Sequence, residues 1–99
     1  MIVLLLASNA ASAVDFVYVP DMGTLSWQMT PDGFVYLRNL NSYNNSYLGC
    51  CYNWRVDTTT TAGKSIWSAM LVKIAQHAPL YIGVGSMTVP GPVLYIGNW

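Results

Sequence analysis

The chain has no glutamate and a single histidine among its 99 residues. Paired-carboxylate catalysis could draw only on Asp15, Asp21, Asp32 and Asp57, each of which stands at a turn or helix start that already accounts for it. A Ser-His-Asp or Cys-His arrangement would need His77. That residue falls at the end of a helical pattern, where a cation is favourable against the helix dipole without any further purpose. A four-ligand metal site lacks donors, since the only cysteines are the adjacent Cys50 and Cys51. These absences point away from an enzyme and from any cofactor. Charge is equally scarce: 8 % of residues, with four acids cancelling four bases. No electrostatic footprint therefore favours a nucleic-acid backbone or an anionic membrane surface. Arg38 and Arg55 alone cannot track a nucleic acid, although Tyr36 and Tyr52 could stack on bases.

Long apolar runs are missing too. Ile2–Ala7 is well short of the ~20 residues that span a bilayer. Followed by the small-x-small tripeptide Ala11-Ser12-Ala13, it reads as a signal peptide over 1–13, with mature chain from Val14 and a secreted or periplasmic destination. No Lys or Arg precedes the run, so the basic start of such a peptide is absent or truncated. A buried first strand is the competing interpretation. Residues 14–99 then form a single domain of roughly 85 residues, a size that buries only about 60–65 % of the surface its unfolded chain exposes. A hydrophobic share of 54 % exceeds what so small a core can hide, which suggests a homo-oligomeric interface.

Adjacent cysteines can bond to each other only through a strained eight-membered ring, so a Cys50–Cys51 bridge is disfavoured. An intermolecular disulfide, or one buried thiol beside one reactive one, remains open. The simplest expectation is two small apolar side chains at the start of a strand.

Phe16–Pro20 and Thr24–Met29 are strand-like around Asp21-Met22-Gly23, either a bulge in one bent strand or a hairpin turn. Pro31-Asp32-Gly33 is a turn and Phe34–Arg38 a strand. Residues 39–49 hold four Asn, two Ser and two Tyr, which makes them a loop. Tyr52–Val56 is the next strand, ended by Asp57, whose side chain can accept from backbone donors of the following turn. Thr58 or Thr60 then caps a helix over Ala62–His77, with Ile66, Trp67, Met70, Leu71, Ile74 and Ala78 on one arc. Pro79 ends it. Leu80–Val84 and Val93–Ile96 complete a β-β-β-α-β-β order. That is the order of an OB-fold: mainly β with one α-helix, a five-stranded, partly open barrel.

Ala62-Gly63-Lys64-Ser65 invites a nucleotide-binding interpretation, but Thr58 stands where the phosphate loop needs its first glycine. A different resemblance covers more of the chain. Trp54, Asp57, Thr58, Thr60, Ala62, Gly63 and Lys64, followed by an amphipathic helix and an apolar strand ending Gly83-Val84-Gly85, resemble a group of small secreted bacterial proteins. Their OB-like fold is similar to the B subunits of AB-type toxins of the subtilase and pertussis-like kinds. The resemblance spans about Tyr52 to Val84 and implies structural, not catalytic, roles for the motif residues. The group commonly has a cysteine where Ser86-Met87 stands here. The disulfide it would make to the segment before the Trp strand is thus missing, and tighter packing or assembly must compensate for a few kcal/mol.

Two functional expectations follow. The first is a non-enzymatic binding module for a glycan or a protein, with Tyr43, Asn44, Asn45 and Tyr47 as ligand-binding residues: tyrosine rings suit the apolar face of a sugar, and amides suit its hydroxyls. The second is a structural subunit that self-assembles into a ring, filament or surface layer. Its motive is the excess of apolar over charged residues, with Ala69 and Val72 on the otherwise polar arc of the helix.

Overall fold

The computed structural model describes residues 14–99; the proposed signal peptide, 1–13, lies outside the described residues. Six strands and one long helix follow in the order β1 (Asp15–Val19), β2 (Trp27–Met29), β3 (Phe34–Leu37), β4 (Trp54–Asp57), α1 (Thr61–Gln76), β5 (Leu80–Val84) and β6 (Gly91–Gly97). The sheet runs β1-β5-β6-β4-β3-β2. All neighbours are antiparallel except β4 and β6, which pair in parallel through Trp54 with Gly91 and Arg55 with Pro92.

The mainly-β class with one helix is as expected, and the strand count is corrected from five to six. Asp15–Val19 and Trp27–Met29 do not pair with each other and so form no hairpin; they occupy the two opposite edges of the sheet. A 3-10 turn at Met22–Thr24 separates them in place of a bulge. It forms because the Asp21 side chain accepts from Gly23 N at 2.8 Å and the Thr24 hydroxyl donates to Asp21 O at 2.7 Å. A flat six-stranded sheet would be about 24 Å wide at ~4.8 Å per strand, and a linker folded into a turn falls short of that. The sheet must therefore curl to bring its edges round. The result is a partly open barrel.

Strand alternation builds the core. Val17 and Val19, Val35 and Leu37, Trp54 and Val56 point inward and are buried, while Phe16, Tyr18 and Tyr36 point outward. The turn at Pro31-Asp32-Gly33 is present, with Gly33 at φ 92° and its N–H donating to Thr30 O. β4 begins at Trp54, two residues later than expected, and β6 is longer than Val93–Ile96 at both ends.

The helix start resolves the two threonines. Thr60 is the cap, its hydroxyl accepting from Gly63 N at 2.9 Å, whereas Thr58 bonds back to the carbonyl of Gly33 through both its N–H and its hydroxyl. Asp57 accepts from the amide and hydroxyl of Thr59; those bonds, helped by the charge of Arg55, hold its carboxyl below the usual range. On α1, Trp67 and Met70 are buried and Ile66 and Ile74 half-buried, but Leu71 lies exposed at the edge of the arc. Trp67 meets Trp27 edge-on at 5.0 Å, which docks the helix beside the β2 edge. At the other end His77 adopts a left-handed conformation, φ 53°, and its Nδ1 lies 3.0 Å from Asp21 Oδ1. With Met22 N donating to Ala78 O, this clasp ties the end of α1 to the turn between β1 and β2.

The segment before β4 is tied to the one after β5 without a covalent link. Leu48 N donates to Met87 O at 3.1 Å, Met87 N donates to Asp15 Oδ2 at 2.8 Å, and the Met87 side chain packs on the core.

Candidate functional site

Where β2 and β3 end, the chain builds a cleft. Arg38 N donates to Ser26 O at 2.8 Å, extending the β2–β3 ladder one step past its last regular pair. The Asn39 side chain then acts like a short piece of strand: its Oδ1 accepts from Ser26 N at 2.8 Å and its Nδ2 donates to Thr24 O at 3.1 Å. A 3-10 turn at Leu40–Ser42 follows, anchored by the buried Leu40. Asn39, a turn-former whose amide is consumed in this way, fixes the direction in which Asn41 and Ser42 leave the barrel. The concavity so formed holds about 350 Å³ and is lined by Ser26, Arg38, Asn39, Asn41, Ser42 and Cys50.

Beside it stands a group that the period-two alternation of β3 places on the outer face. The Arg38 guanidinium carbon lies 5.6 Å from the centre of the Tyr52 ring, Tyr52 OH donates to Gln28 Oε1 at 3.0 Å, and Tyr36 meets Tyr52 edge-on at 5.1 Å. Tyr52 is thus held in place yet 55 % exposed. Arg38 Nε is buried and makes no hydrogen bond among the described residues.

The residues singled out from the sequence divide. Tyr47 is corrected: it is 3 % exposed, edge-on to Trp54 with ring centres 5.4 Å apart, and belongs to the core. Its place follows from the turn beneath it, where Tyr47 N donates to Asn44 O and the Asn44 side chain accepts from Ser46 N. Tyr43 packs half-buried on the core with its hydroxyl 2.8 Å from Thr24 Oγ1. Asn44 is spent on its turn, and Asn45 is exposed but does not line the cleft. So the Asn-rich loop does contribute to a concave site, through Asn39, Asn41 and Ser42 instead of the four residues expected. Arg38, Ser26 and Gln28 were missed as site residues. The available signal was Arg38 two positions after Tyr36 on the same strand face.

Of the remaining residues singled out, Trp54 and Gly63 are buried, Asp57, Thr58 and Thr60 are engaged in turn and cap bonds, and Ala62 and Lys64 are exposed. The small hollow beside the helix start is lined by Asp57 and by the apolar Val56, Ile66 and Val93, with no Lys or Arg among its lining residues. The cysteines are a second correction. Cys50 and Cys51 lie against each other in the loop, and neither is a core residue; Cys50 is exposed on the cleft wall. Among the described residues no three His, Cys, Asp or Glu side chains gather where they could hold a metal, and no helix is long and apolar enough to cross a membrane.

The burial of Tyr47 gives a clear expectation. Its hydroxyl has no hydrogen-bond partner among the described residues, and burial, reinforced by the charge of Asp15, pushes its pKa up to about 12. Because the neutral form is the one the fold favours, the contribution is complete below the unfolded value near 10 and is lost as pH rises toward 12. Denaturant titrations should show wild type losing roughly 2 kcal/mol more than Tyr47→Phe across that window. At neutral pH Tyr47→Phe should match wild type or exceed it by about 1 kcal/mol, since it removes an unsatisfied polar group. A loss of stability at neutral pH would show that the hydroxyl is bonded after all.

Comparison of the chain with protein-family models, curated proteins and solved structures finds no match.

Proposed function

We propose that this protein is a non-enzymatic binding module, exported to the cell exterior or periplasm, that recognises a saccharide in the cleft between the β2–β3 end and the Asn-rich loop. The observation that carries this reading is the placement of an exposed, immobilised Tyr52 ring beside a concavity lined by hydroxyls and amides. A sugar presents one apolar C–H face and a rim of hydroxyl groups, and such a site offers a surface for each. The resemblance of the Trp54–Lys64 motif to small exported proteins with OB-like folds agrees with it, although fold alone is a weak warrant for function.

A glycan array probed with refolded residues 14–99 tests the idea. Binding should fall about tenfold or more in Tyr52→Ala and in Asn41→Ala, and stay unchanged in Tyr47→Phe. Silence across a broad array, or equal loss in Tyr47→Phe, would sink it.

A second reading, self-assembly, is favoured by a different surface. On the outer face of β1, β5 and β6, Phe16, Tyr18, Tyr95 and Trp99 are 41–66 % exposed, and Trp99 stacks on Tyr81 at 4.8 Å. The exposed Leu71 and Val72 of α1 add to the apolar surface left to solvent. Light scattering at micromolar concentration discriminates: a clean monomer removes the assembly reading and leaves the cleft untouched.

A further inference from the structure

We propose that the cleft selects acidic saccharides, with Arg38 receiving the carboxylate of a hexuronic-acid type of sugar; this rests on the saccharide reading of the same site. Four observations converge on it. Arg38 lines the cleft, and the other lining residues, Ser26, Asn39, Asn41, Ser42 and Cys50, are all uncharged. No carboxylate among the described residues pairs with its guanidinium, the one ion pair being His77 with Asp21. Its Nε is withdrawn from solvent without a hydrogen bond, so the inner part of the guanidinium is packed against the protein and makes no competing bond. Tyr52 lies against the guanidinium at 5.6 Å and is itself tethered to Gln28, so the cation is oriented before any ligand comes.

An arginine held in this way suits a carboxylate better than a hydroxyl. Its planar fork donates two parallel hydrogen bonds to the two oxygens of one carboxylate, and charge-assisted bonds of that kind are about twice as strong as neutral ones. The neighbouring hydroxyls and amides then serve the sugar's own hydroxyl groups, while Tyr52 offers its exposed ring surface to the C–H face. Arg55, the other arginine, lies 5.5 Å from the Phe34 ring and does not line the cleft. Selectivity therefore depends on one cation.

The test is calorimetric titration of the full chain with a hexuronic-acid oligosaccharide and with the same oligosaccharide after chemical reduction of its carboxyls to alcohols. Wild type should bind the acidic form about ten- to a hundredfold more tightly than the reduced form. That preference should weaken as salt is added, shrink in Arg38→Lys and vanish in Arg38→Gln, while Tyr52→Ala should weaken both forms. Unfolding midpoints of each variant show that the fold is kept; Arg38→Lys keeps the charge and carries the test should Arg38→Gln fail to fold. Equal binding of both forms by wild type would overturn the role of Arg38 and leave the saccharide reading standing. Binding of neither form, or of a poly-glutamate peptide alone, would overturn both.

Discussion

Trp54→Ala is expected to cost about 3–5 kcal/mol, the range for removing a buried large aromatic side chain. Trp54 is 1 % exposed and opens β4, the strand bonded on one side to β3 and on the other, in parallel, to β6. Its ring also supports Tyr47 edge-on, so the truncation loosens the loop that carries the cleft. Small domains have only about 5–15 kcal/mol in hand. The variant should therefore unfold at far lower urea concentration with an unchanged slope. Trp54→Phe should be much milder, since the indole Nε1 is buried without a hydrogen bond among the described residues and its removal relieves that defect. Equal losses in the two variants would mean that the nitrogen, not ring volume, is what the site needs.

The second large effect runs against a general trend. Glycine to alanine within a helix ordinarily stabilises by about 1 kcal/mol. Gly63→Ala is expected to destabilise by about 3 kcal/mol or more, the upper end of overpacking costs. A β-carbon there would lie 1.7 Å from the carbonyl oxygen of Asp57 and 2.9 Å from Thr60 Oγ1. The first obstacle is backbone at the end of β4, which cannot swing aside as a side chain can. Relief would require the first turn of α1 to lift from the sheet, with the Thr60 cap strained and Trp67 and Met70 following. Gly49, whose added β-carbon would meet nothing within 4 Å, is the matched control, and Gly49→Ala should leave thermal stability near wild type. A Gly63→Ala protein as stable as wild type would show that the helix start does not sit this close to the strand.

Legibility followed the range of the forces involved. The helix was readable because its signals are local: threonine at its start, an apolar arc, proline after its end. Gly63 could be assigned from the sequence to close approach between helix and sheet, and the Asp57 oxygen is the reason. The separation of β1 from β2 was not readable, because a bent strand, a hairpin and two strands on opposite sheet edges share one hydrophobic pattern and differ only in distant partners, here β5 and β3. Tyr47 was misjudged because composition marks the segment as polar, while burial of one ring is decided by Trp54, seven positions on. Arg38 could have been found: it shares the face of Tyr36, and both rings near it had already been marked as candidates for stacking.

The parallel pairing of β4 with β6 has a consequence for biogenesis. Of the six strands, the one lying between β5 and β4 is the last to leave the ribosome, so until it emerges no ladder of hydrogen bonds joins the two halves of the sheet. Partners so distant along the chain make for slow closure. Closure of the barrel wall accordingly waits on the last of its strands, and the folding rate is expected to be set by that pairing.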